Sequence, residues 1–457
     1  MIENKNILLC LNQLEIGGIE TAVYNQAITL KEKGFNIYVL AKTGVYSQRL
    51  TEKGINCIPF EFKIDPFNYD LKSINKVRDV LKQNNIGQVY IHQFDCITSV
   101  FPACMIENIP YIAYLHNGVK ATYDFFIKER YDYNYAIFKL YFEMAYKIIA
   151  ITEMVKNENI EKFNISENKF IVLKNSINFD EIKLHSKEQD ITTIRKFLLI
   201  SRLSHEKQIS IKNGIEMFRK YHLKYPDATL TIVGDGNQEE EIKKQIEDIS
   251  ECVNMVGKTN NVLKYIKDCD IVIGLGRCIL EAISMKRIAV ISGYSEIKDI
   301  ITPENIENFL RENFSGRDAE SVTFDEIVNK IENLNKEKIK QITTLNYDFA
   351  YKNLNLKNNI YVIEEYENIN FNLDNKLLFE ILQLAGNEVI KAYNYSDKVY
   401  KECKEAQSFF EQQIKNQEEE IKKLKLIFEK DIKSKKNNVK MLIKKIIKKN
   451  HKLSRFI

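Results

Sequence analysis

Hydrophobic and polar positions follow two alternating patterns along the chain. Short runs of consecutive apolar residues, such as residues 6–11, 36–41 and 88–92, predict strands that are buried on both faces. The stretches between them, such as residues 19–33 and 71–83, have apolar residues three or four positions apart and predict amphipathic helices. This alternation is typical of βαβ units built around a parallel sheet.

The alternation stops once and then starts again. Residues 185–193 are polar and charged, contain no glycine and include few large apolar side chains, so we interpret them as a linker. The strand and helix pattern resumes at residue 196. The sequence therefore predicts two doubly wound α/β domains that face a cleft, one at residues 1–185 and one at residues 194–370.

A different pattern begins near residue 374, where predicted strands stop and a helical extension to residue 457 is expected. Apolar positions in residues 410–428 are spaced alternately four and three apart, which favours about equally a short self-associating coiled coil and a helix packed on the body. Residues 439–447 place apolar side chains between lysine pairs. This basic, amphipathic end fits a helix on an anionic membrane surface, and equally a solvated helix without a membrane role.

The net charge sharpens this division. The whole chain has 67 basic and 63 acidic residues, which is close to balance. From residue 421 to the end, however, there are 14 Lys or Arg and 2 Asp or Glu, so the preceding residues carry a net charge of −8. An acidic body is thus joined to a basic tail. The tail has few aromatic side chains for stacking on bases, so we expect no nucleic-acid partner.

The cellular location is inferred from the cysteines and from the hydrophobic runs. None of the eight cysteines forms a Cys-x-x-Cys pair, which favours a reduced, cytoplasmic chain. No apolar run approaches the roughly 20 residues that a membrane span needs, and the N-terminus lacks the features of a signal peptide. We expect a cytoplasmic protein that is at most peripheral on the inner face of a membrane.

Glycines follow the first predicted strand. Gly17 and Gly18 open the next helix, where backbone N–H groups can approach a phosphate or a polar sugar. A tight turn required only by packing explains such a pair about equally well. The dinucleotide pattern G-x-G-x-x-G is absent here, which disfavours NAD.

The second half places cations and glycines after its strands. Arg202 follows a buried strand and Lys207 lies five residues later, so both are expected over the strand ends, where paired cations suit a diphosphate. A solvated pair is the alternative for these two residues. Gly234 lies in another strand-end loop, IVGDG.

A further glycine loop precedes a helix. Gly274 and Gly276 lie before the helix that carries Glu281. If Glu281 lies in the first turn, its carboxylate can accept two ribose hydroxyls, or it can simply complement the helix dipole.

Together these segments resemble the retaining glycosyltransferases of family four, which have the GT-B fold of two Rossmann-like domains. The resemblance covers residues 5–370 and is specific because the segments occur in the family's order and spacing. They are IGGIE, LHNG, ITEMVKNENIEKFNISENKFIVLKNSIN, SRLSHEK, VGDG, GRCILEAISMKR and TPENIENFLRENFSGR.

The resemblance implies roles for matching residues. The Gly17–Gly18 loop would lie against donor phosphates and acceptor, Arg202 and Lys207 would neutralise the diphosphate leaving group, and Glu281 would hold the ribose. His116 matches the histidine that faces the reacting sugar, and His92 resembles a position that lines the cleft on the acceptor side. A histidine at a strand end that bonds only to a backbone carbonyl explains His92 at least as well.

One position departs from the family pattern. The first of two paired glutamates should lie eight residues before Glu281, where this chain has Ile273. Either the backbone amides of residues 274–277 bind the donor sugar instead, or activity has been lost.

The resemblance implies a retaining glycosyltransferase that uses a nucleotide-sugar and modifies a cell-surface glycan or its lipid-linked precursor. It implies no cofactor and no metal, since enzymes of this fold need no Asp-x-Asp metal site. The alternatives are an inactive donor-binding or scaffolding subunit of a glycosyltransferase complex and, less favoured, a nucleotide-sugar epimerase of the same fold.

Overall fold

The computed structural model of the chain describes residues 4–62, 70–119, 131–185, 191–317 and 319–363. The predicted helical extension from residue 374, with its heptad pattern and its basic end, lies outside the described residues. Two parallel sheets dominate the described part, and we call the parts of the chain built around them the first lobe and the second lobe.

The first lobe contains a seven-stranded sheet in which every strand pairs with its neighbours in parallel. The strands are β1 (Asn6–Gln13), β2 (Asn36–Lys42), β3 (Asn56–Pro59), β4 (Gln88–Ile91), β5 (Tyr111–Leu115), β6 (Lys147–Ala150) and β7 (Phe170–Val172). Their spatial order is β3-β2-β1-β4-β5-β6-β7.

Helices connect these strands. They are α1 (Gly18–Glu32), α2 (Val45–Glu52), α3 (Leu71–Gln83), α4 (Ile97–Glu107), α5 (Tyr131–Met144) and α6 (Glu153–Phe163). Successive residues of β1 pack into two different apolar clusters, Leu8 and Cys10 into one and Ile7 and Leu9 into the other. Both faces of the sheet are therefore covered, as a parallel sheet requires.

The second lobe contains a six-stranded sheet in the order β10-β9-β8-β11-β12-β13, in which only the edge strand β13 is antiparallel. The strands are β8 (Lys196–Ile200), β9 (Thr229–Val233), β10 (Val253–Gly257), β11 (Ile271–Gly274), β12 (Ile288–Ser292) and β13 (Ile297–Ile300). The helices around them are α7 (Phe179–His185), α8 (Gln208–Lys224), α9 (Glu239–Gln245), α10 (Val262–Asp268), α11 (Arg277–Ser284), α12 (Ile306–Arg311), α13 (Phe324–Glu332) and α14 (Lys336–Asn353).

The chain passes between the lobes twice, and the two passages are hydrogen-bonded to each other. Ile177 donates its backbone N–H to the Leu354 carbonyl at 2.9 Å, and its own carbonyl accepts from Leu356 at 2.9 Å. After the second passage, Ile363 is buried in the first lobe, where its N–H donates to Gln88 Oε1 at 3.2 Å. The end of the described chain thus returns to the first lobe.

The predicted fold class, two Rossmann-like doubly wound domains, is confirmed. The boundaries between domains stay predictions. Helix α7, which the sequence assigns to the end of the first domain, contributes Phe179 and Ile182 to an apolar cluster of the second lobe.

Candidate functional site

The order of the strands fixes where ligands can approach. Each sheet has a topological switch point between two adjacent central strands. From β1 the chain continues to one side of the first sheet and from β4 to the other side, and β8 and β11 form the same arrangement in the second sheet. The carboxyl ends of such strands leave a crevice at which open α/β sheets bind ligands. Residues that follow these four strands are therefore the first candidates for a site.

The two carboxyl edges face each other. Glu15, in the loop after β1, forms an ion pair with Lys258, which follows β10, at an Oε2–Nζ distance of 2.9 Å. Glu20 at the start of α1 is also electrostatically coupled to Arg202, which follows β8. We call the space bounded by these strand ends the cleft.

The glycine loop after β1 holds a carboxylate of its own. Gly17 is the N-cap of α1, and a Cβ there would overlap the carboxylate of Glu20, which folds back over the loop. Glu20 is 9% exposed, and burial raises the pKa of its carboxyl although its own N–H, Arg202 and Gln93 oppose the shift. Gly18 has no atom within 4 Å of its Cβ position. The loop therefore holds a buried carboxyl directly beside the N-terminus of α1.

Two histidines and a tyrosine stack at the ends of β4 and β5. His116 follows β5, and its Nε2 lies 3.1 Å from Nδ1 of His92, which follows β4. The ring of Tyr114 stacks on that of His92 with centroids 4.3 Å apart. Burial lowers the pKa of His92 well below its usual value and that of His116 to about 4, so both imidazoles are neutral near pH 7.

The structure corrects the prediction that His92 lines the acceptor side of the cleft. Its side chain is only 3% exposed and lies against His116 and Tyr114. A group this buried cannot line a groove. His116, which is half-buried, is the member of the pair that an incoming ligand can reach.

Cations gather after the strands of the second lobe. Arg202 is exposed just beyond β8, and Lys207 lies directly before α8. The Lys207 ammonium lies 3.9 Å from the centroid of the Tyr294 ring and donates to the Tyr294 hydroxyl. The guanidinium carbon of Arg317 lies 5.1 Å from the same centroid.

Tyr294 and Arg317 were missed by sequence reasoning. Tyr294 follows β12, and Arg317 ends the segment NFSGR. Their contribution depends on loops that meet only after folding, so no spacing along the chain indicates it. The ring and the hydroxyl of Tyr294 together hold the Lys207 ammonium in one place.

Gly234 has a structural reason to be glycine. Its φ is +142° and a Cβ would overlap the carbonyl oxygen of Ser201. This close approach joins the loops after β8 and β9, where Leu203 N–H donates to the Asp235 carbonyl at 2.8 Å. Gly234 therefore shapes the loop that carries Arg202.

The loop after β11 leads into α11 with its two glycines. A Cβ on Gly274 would overlap the Cys278 sulfur, whereas Gly276 has φ +70° and open space at its Cβ position. Glu281 lies at the fifth position of α11, so the expectation that it lies in the first turn is wrong. Its Oε1 accepts from Arg277 Nε at 3.0 Å, and its side chain is 14% exposed. Burial raises the Glu281 pKa and the Arg277 charge opposes that shift.

Position 273 cannot serve as the missing carboxylate position. Ile273 is an interior residue of β11, pairs with Val290 and Leu199 on its two sides, and is 0% exposed. A carboxylate there would be buried in the apolar core and would not reach the cleft. Only two residues, 275 and 276, separate β11 from α11, so the position eight residues before Glu281 falls inside the strand.

No group of three or more His, Cys, Asp or Glu side chains among the described residues is placed to hold a metal ion. No helix within the described ranges combines the length and the apolar character that crossing a bilayer requires.

Family models match both lobes. Residues 16–181 match Glycosyltransferase Family 4, and residues 194–323 match Glycosyl transferases group 1. These ranges together cover well over half of the chain, and each contains the strand-end loops of one side of the cleft.

Individual relatives are more distant. An uncharacterized glycosyltransferase of Methanocaldococcus jannaschii is 24% identical over 279 residues, which are 55% of this chain and 66% of that protein. The N,N'-diacetylbacillosaminyl-diphospho-undecaprenol alpha-1,3-N-acetylgalactosaminyltransferase of Campylobacter jejuni is 24% identical over 58% of this chain and 74% of its own length. The chain thus spans about two thirds to three quarters of these relatives' length. The solved structure of Anabaena HepE with UDP-glucose is 16% identical, has a TM-score of 0.58 and covers 84% of this chain and 98% of its own.

Proposed function

The chain belongs to the glycosyltransferases of family 4, a family of nucleotide-sugar-dependent enzymes, and on that premise we propose the reaction it performs. It moves a sugar from a nucleoside-diphosphate donor to a glycan or a lipid-linked glycan, with retention of the anomeric configuration. The product contributes to a cell-surface polysaccharide or glycoconjugate. The observation that supports this proposal most strongly is the pair of cations, Arg202 and Lys207, at the carboxyl ends of the second-lobe strands, opposite the uncharged His116.

The charges fit the departure of a nucleoside diphosphate. Negative charge develops on the phosphates as the glycosidic bond breaks, and preorganised cations aimed there stabilise the transition state. Arg202 and Lys207 supply that charge, and Tyr294 holds Lys207 through its ring and its hydroxyl. Glu281 is oriented by Arg277 and would accept the ribose hydroxyls.

The donor sugar would lie between the two lobes. The N–H of Gly276 donates to the Phe314 carbonyl at 2.8 Å, so the other backbone N–H groups of residues 274–277 would replace the family's first glutamate. The neutral His116 would face the sugar from the first lobe. Gly18 leaves room beside the carboxylate of Glu20 for acceptor hydroxyls. The inactive donor-binding subunit stays the alternative, because the chain has a buried isoleucine at position 273 where the family has its first glutamate.

The acceptor is proposed from the Campylobacter jejuni relative, whose name describes transfer to a diphospho-undecaprenol-linked sugar. A lipid-linked acceptor would place the enzyme at a membrane face. The basic end of the chain, in which 14 of the last 37 residues are Lys or Arg, would then bind anionic lipid. Self-association through residues 410–428 is a further proposal from the heptad pattern.

The reaction is tested by incubating the purified protein with UDP-, GDP- and ADP-sugars, with and without polyprenyl-diphosphate-linked sugars. We expect one donor to be consumed faster with acceptor, and the new glycosidic bond to keep the donor's anomeric configuration by NMR. Epimerised donor without transfer would support the epimerase alternative. No consumption of any donor, together with activity restored by a paired subunit, would support the scaffolding alternative.

The membrane proposal is tested by liposome sedimentation. Full-length protein should sediment with vesicles containing anionic lipid and should remain in solution with neutral vesicles. A variant ending at residue 420, which lacks all of these 37 residues, should stay in solution in both cases. Equal sedimentation of the shortened and full-length proteins would contradict the role of the basic end.

A further inference from the structure

A buried imidazole lies directly behind the histidine that faces the cleft. His92 and His116 are 24 residues apart in sequence, and the pairing of β4 with β5 brings their rings to a centroid distance of 5.4 Å. The two ring nitrogens 3.1 Å apart form one hydrogen bond, in which one imidazole must donate and the other must accept. The direction of this bond decides which nitrogen of His116 carries its proton.

The position of His92 is fixed from several sides. Its backbone N–H donates to the Cys10 carbonyl at 2.9 Å, and its ring stacks on Tyr114. The Tyr114 hydroxyl accepts from Gln26 Nε2 of α1 at 2.9 Å. The His92 ring therefore has little freedom to turn, and it is a firm partner for His116.

The surroundings favour one direction for the hydrogen bond. Nε2 of His92 is enclosed and has no hydrogen-bond partner among the described residues. If Nε2 carried a proton, it would be a buried N–H donor without an acceptor. An unpaired buried donor is rarer and more costly than an unpaired buried acceptor. His92 then carries its proton on Nδ1 and donates it to Nε2 of His116.

The consequence reaches the cleft. When Nε2 of His116 accepts a hydrogen bond, the neutral ring carries its proton on Nδ1. That nitrogen has no hydrogen-bond partner within the described part of the chain and is not among the enclosed unsatisfied atoms. It is therefore available to a ligand as a hydrogen-bond donor.

We propose that His92 is a positioning residue that fixes the tautomer of His116, so that His116 presents its Nδ1–H to a hydroxyl of the donor sugar. The assignment of the ligand rests on the proposed function, whereas the tautomer does not. His92 acts only through His116 and touches no substrate.

Two substitutions separate the hydrogen bond from the packing. His92→Asn keeps an N–H near the position of Nδ1, and His92→Phe keeps a flat ring against Tyr114 but has no donor. We expect His92→Phe to lower kcat by about 10- to 100-fold with less than a threefold change in donor KM, because the sugar is misaligned in the transition state. His92→Asn should recover most of the lost kcat.

The tautomer is read directly, without any activity, from the side-chain nitrogen signals of His116 in long-range ¹H–¹⁵N NMR spectra. His116→Gln identifies the signal. Wild type and His92→Asn should show an unprotonated Nε2, and His92→Phe should show a mixture of tautomers with the thermal unfolding midpoint close to that of wild type. If His92→Phe does not fold, the wild-type and His92→Asn spectra still decide the direction of the bond.

A protonated Nε2 on His116 in the wild-type spectrum would overturn the proposal. Equal kcat in wild type and in a folded His92→Phe would also overturn it. If the protein consumes no nucleotide-sugar, the proposed function is wrong. The tautomer proposal is then still tested by the NMR spectra alone.

Discussion

The two sides of the cleft present polar groups that differ in charge. On the first-lobe side, His92 and Glu20 are buried and His116 is half-buried. Burial lowers the pKa of both imidazoles and raises that of the Glu20 carboxyl, which in each case favours the uncharged form. On the second-lobe side, Arg202 is exposed and Lys207 is only partly buried. The first side is suited to hydrogen bonds with sugar hydroxyls and the second to a charged leaving group.

The difference follows from how each side is built. His92 and His116 follow β4 and β5 directly and pack against each other and against Tyr114, which limits their contact with water. The second-lobe cations extend from loops that are held by glycine backbone and by Tyr294. A cation in such a loop keeps its hydration until a ligand arrives, which lowers the cost of placing a charge there.

The largest expected effect comes from removing charge on the second-lobe side. Lys207→Ala should lower kcat/KM for the donor on the order of 10²- to 10³-fold, since one preorganised donor to a developing charge is lost. Lys212→Ala, an exposed lysine on α8, is the control and should behave like wild type. Full turnover by Lys207→Ala would remove the assignment of the diphosphate to this side.

The glycine loops offer a second contrast. Gly234→Ala forces a Cβ against the Ser201 carbonyl at φ +142° and should lower the free energy of unfolding by more than about 2 kcal/mol. Gly18→Ala meets open space and should change stability by less than about 0.5 kcal/mol, while it lowers acceptor-dependent turnover. Urea unfolding measures the first quantity. Equal stabilities of the two variants would contradict the different roles given to the two loops.

The first-lobe imidazoles predict a dependence of stability on pH. The folded His116 has a pKa of about 4, below the unfolded value near 6.5, so the unfolded chain binds more protons as pH falls through that window. The stability that the neutral imidazole contributes is fully present above pH 6.5 and is lost progressively toward pH 4. The loss of unfolding free energy amounts to about 2 kcal/mol at pH 5.

This contribution is measured as the change in unfolding free energy between pH 7 and pH 5. The change should shrink by about that amount in His116→Asn and should stay the same in His205→Asn, which alters an exposed histidine. An undiminished change in His116→Asn would show that the imidazole is not held in its neutral form.

The smallest effect concerns the hydroxyl that holds Lys207. Tyr294→Phe keeps the ring beside the ammonium and loses one hydrogen bond, so kcat/KM should fall by about 3- to 10-fold. Tyr225→Phe is a matched control, because Tyr225 also lies under a cation, Arg195, near the amino end of β8. A loss in Tyr294→Phe as large as that in Lys207→Ala would mean that the hydroxyl does more than hold the lysine.

Parts of this site could be predicted from the sequence because they depend on local order. Arg202 and Lys207 follow a strand in a βαβ pattern, so the rule for strand ends places them correctly. The contact between Arg277 and Glu281 needs only helical spacing of four residues. The continuous apolar runs and helical periodicity were also enough for the two-lobed fold.

Other parts depend on which strands become neighbours. The hydrogen bond between His92 and His116 exists because β4 lies beside β5. Ile273 is an interior residue of β11, which counting residues back from Glu281 does not reveal. Helix α2 has only Tyr46 and Leu50 buried, and β13 is a short antiparallel edge strand, so neither gives a strong periodic signal. Such features need the folded arrangement.

The most direct test of the account is calorimetric titration of nucleoside diphosphates into the wild-type protein, Lys207→Ala and Lys212→Ala. The account predicts that at least one of UDP, GDP and ADP binds the wild type and Lys212→Ala with equal affinity, and binds Lys207→Ala at least tenfold more weakly. Binding of none of the three, or equal binding to all three proteins, would contradict the placement of the diphosphate among the cations of the second lobe.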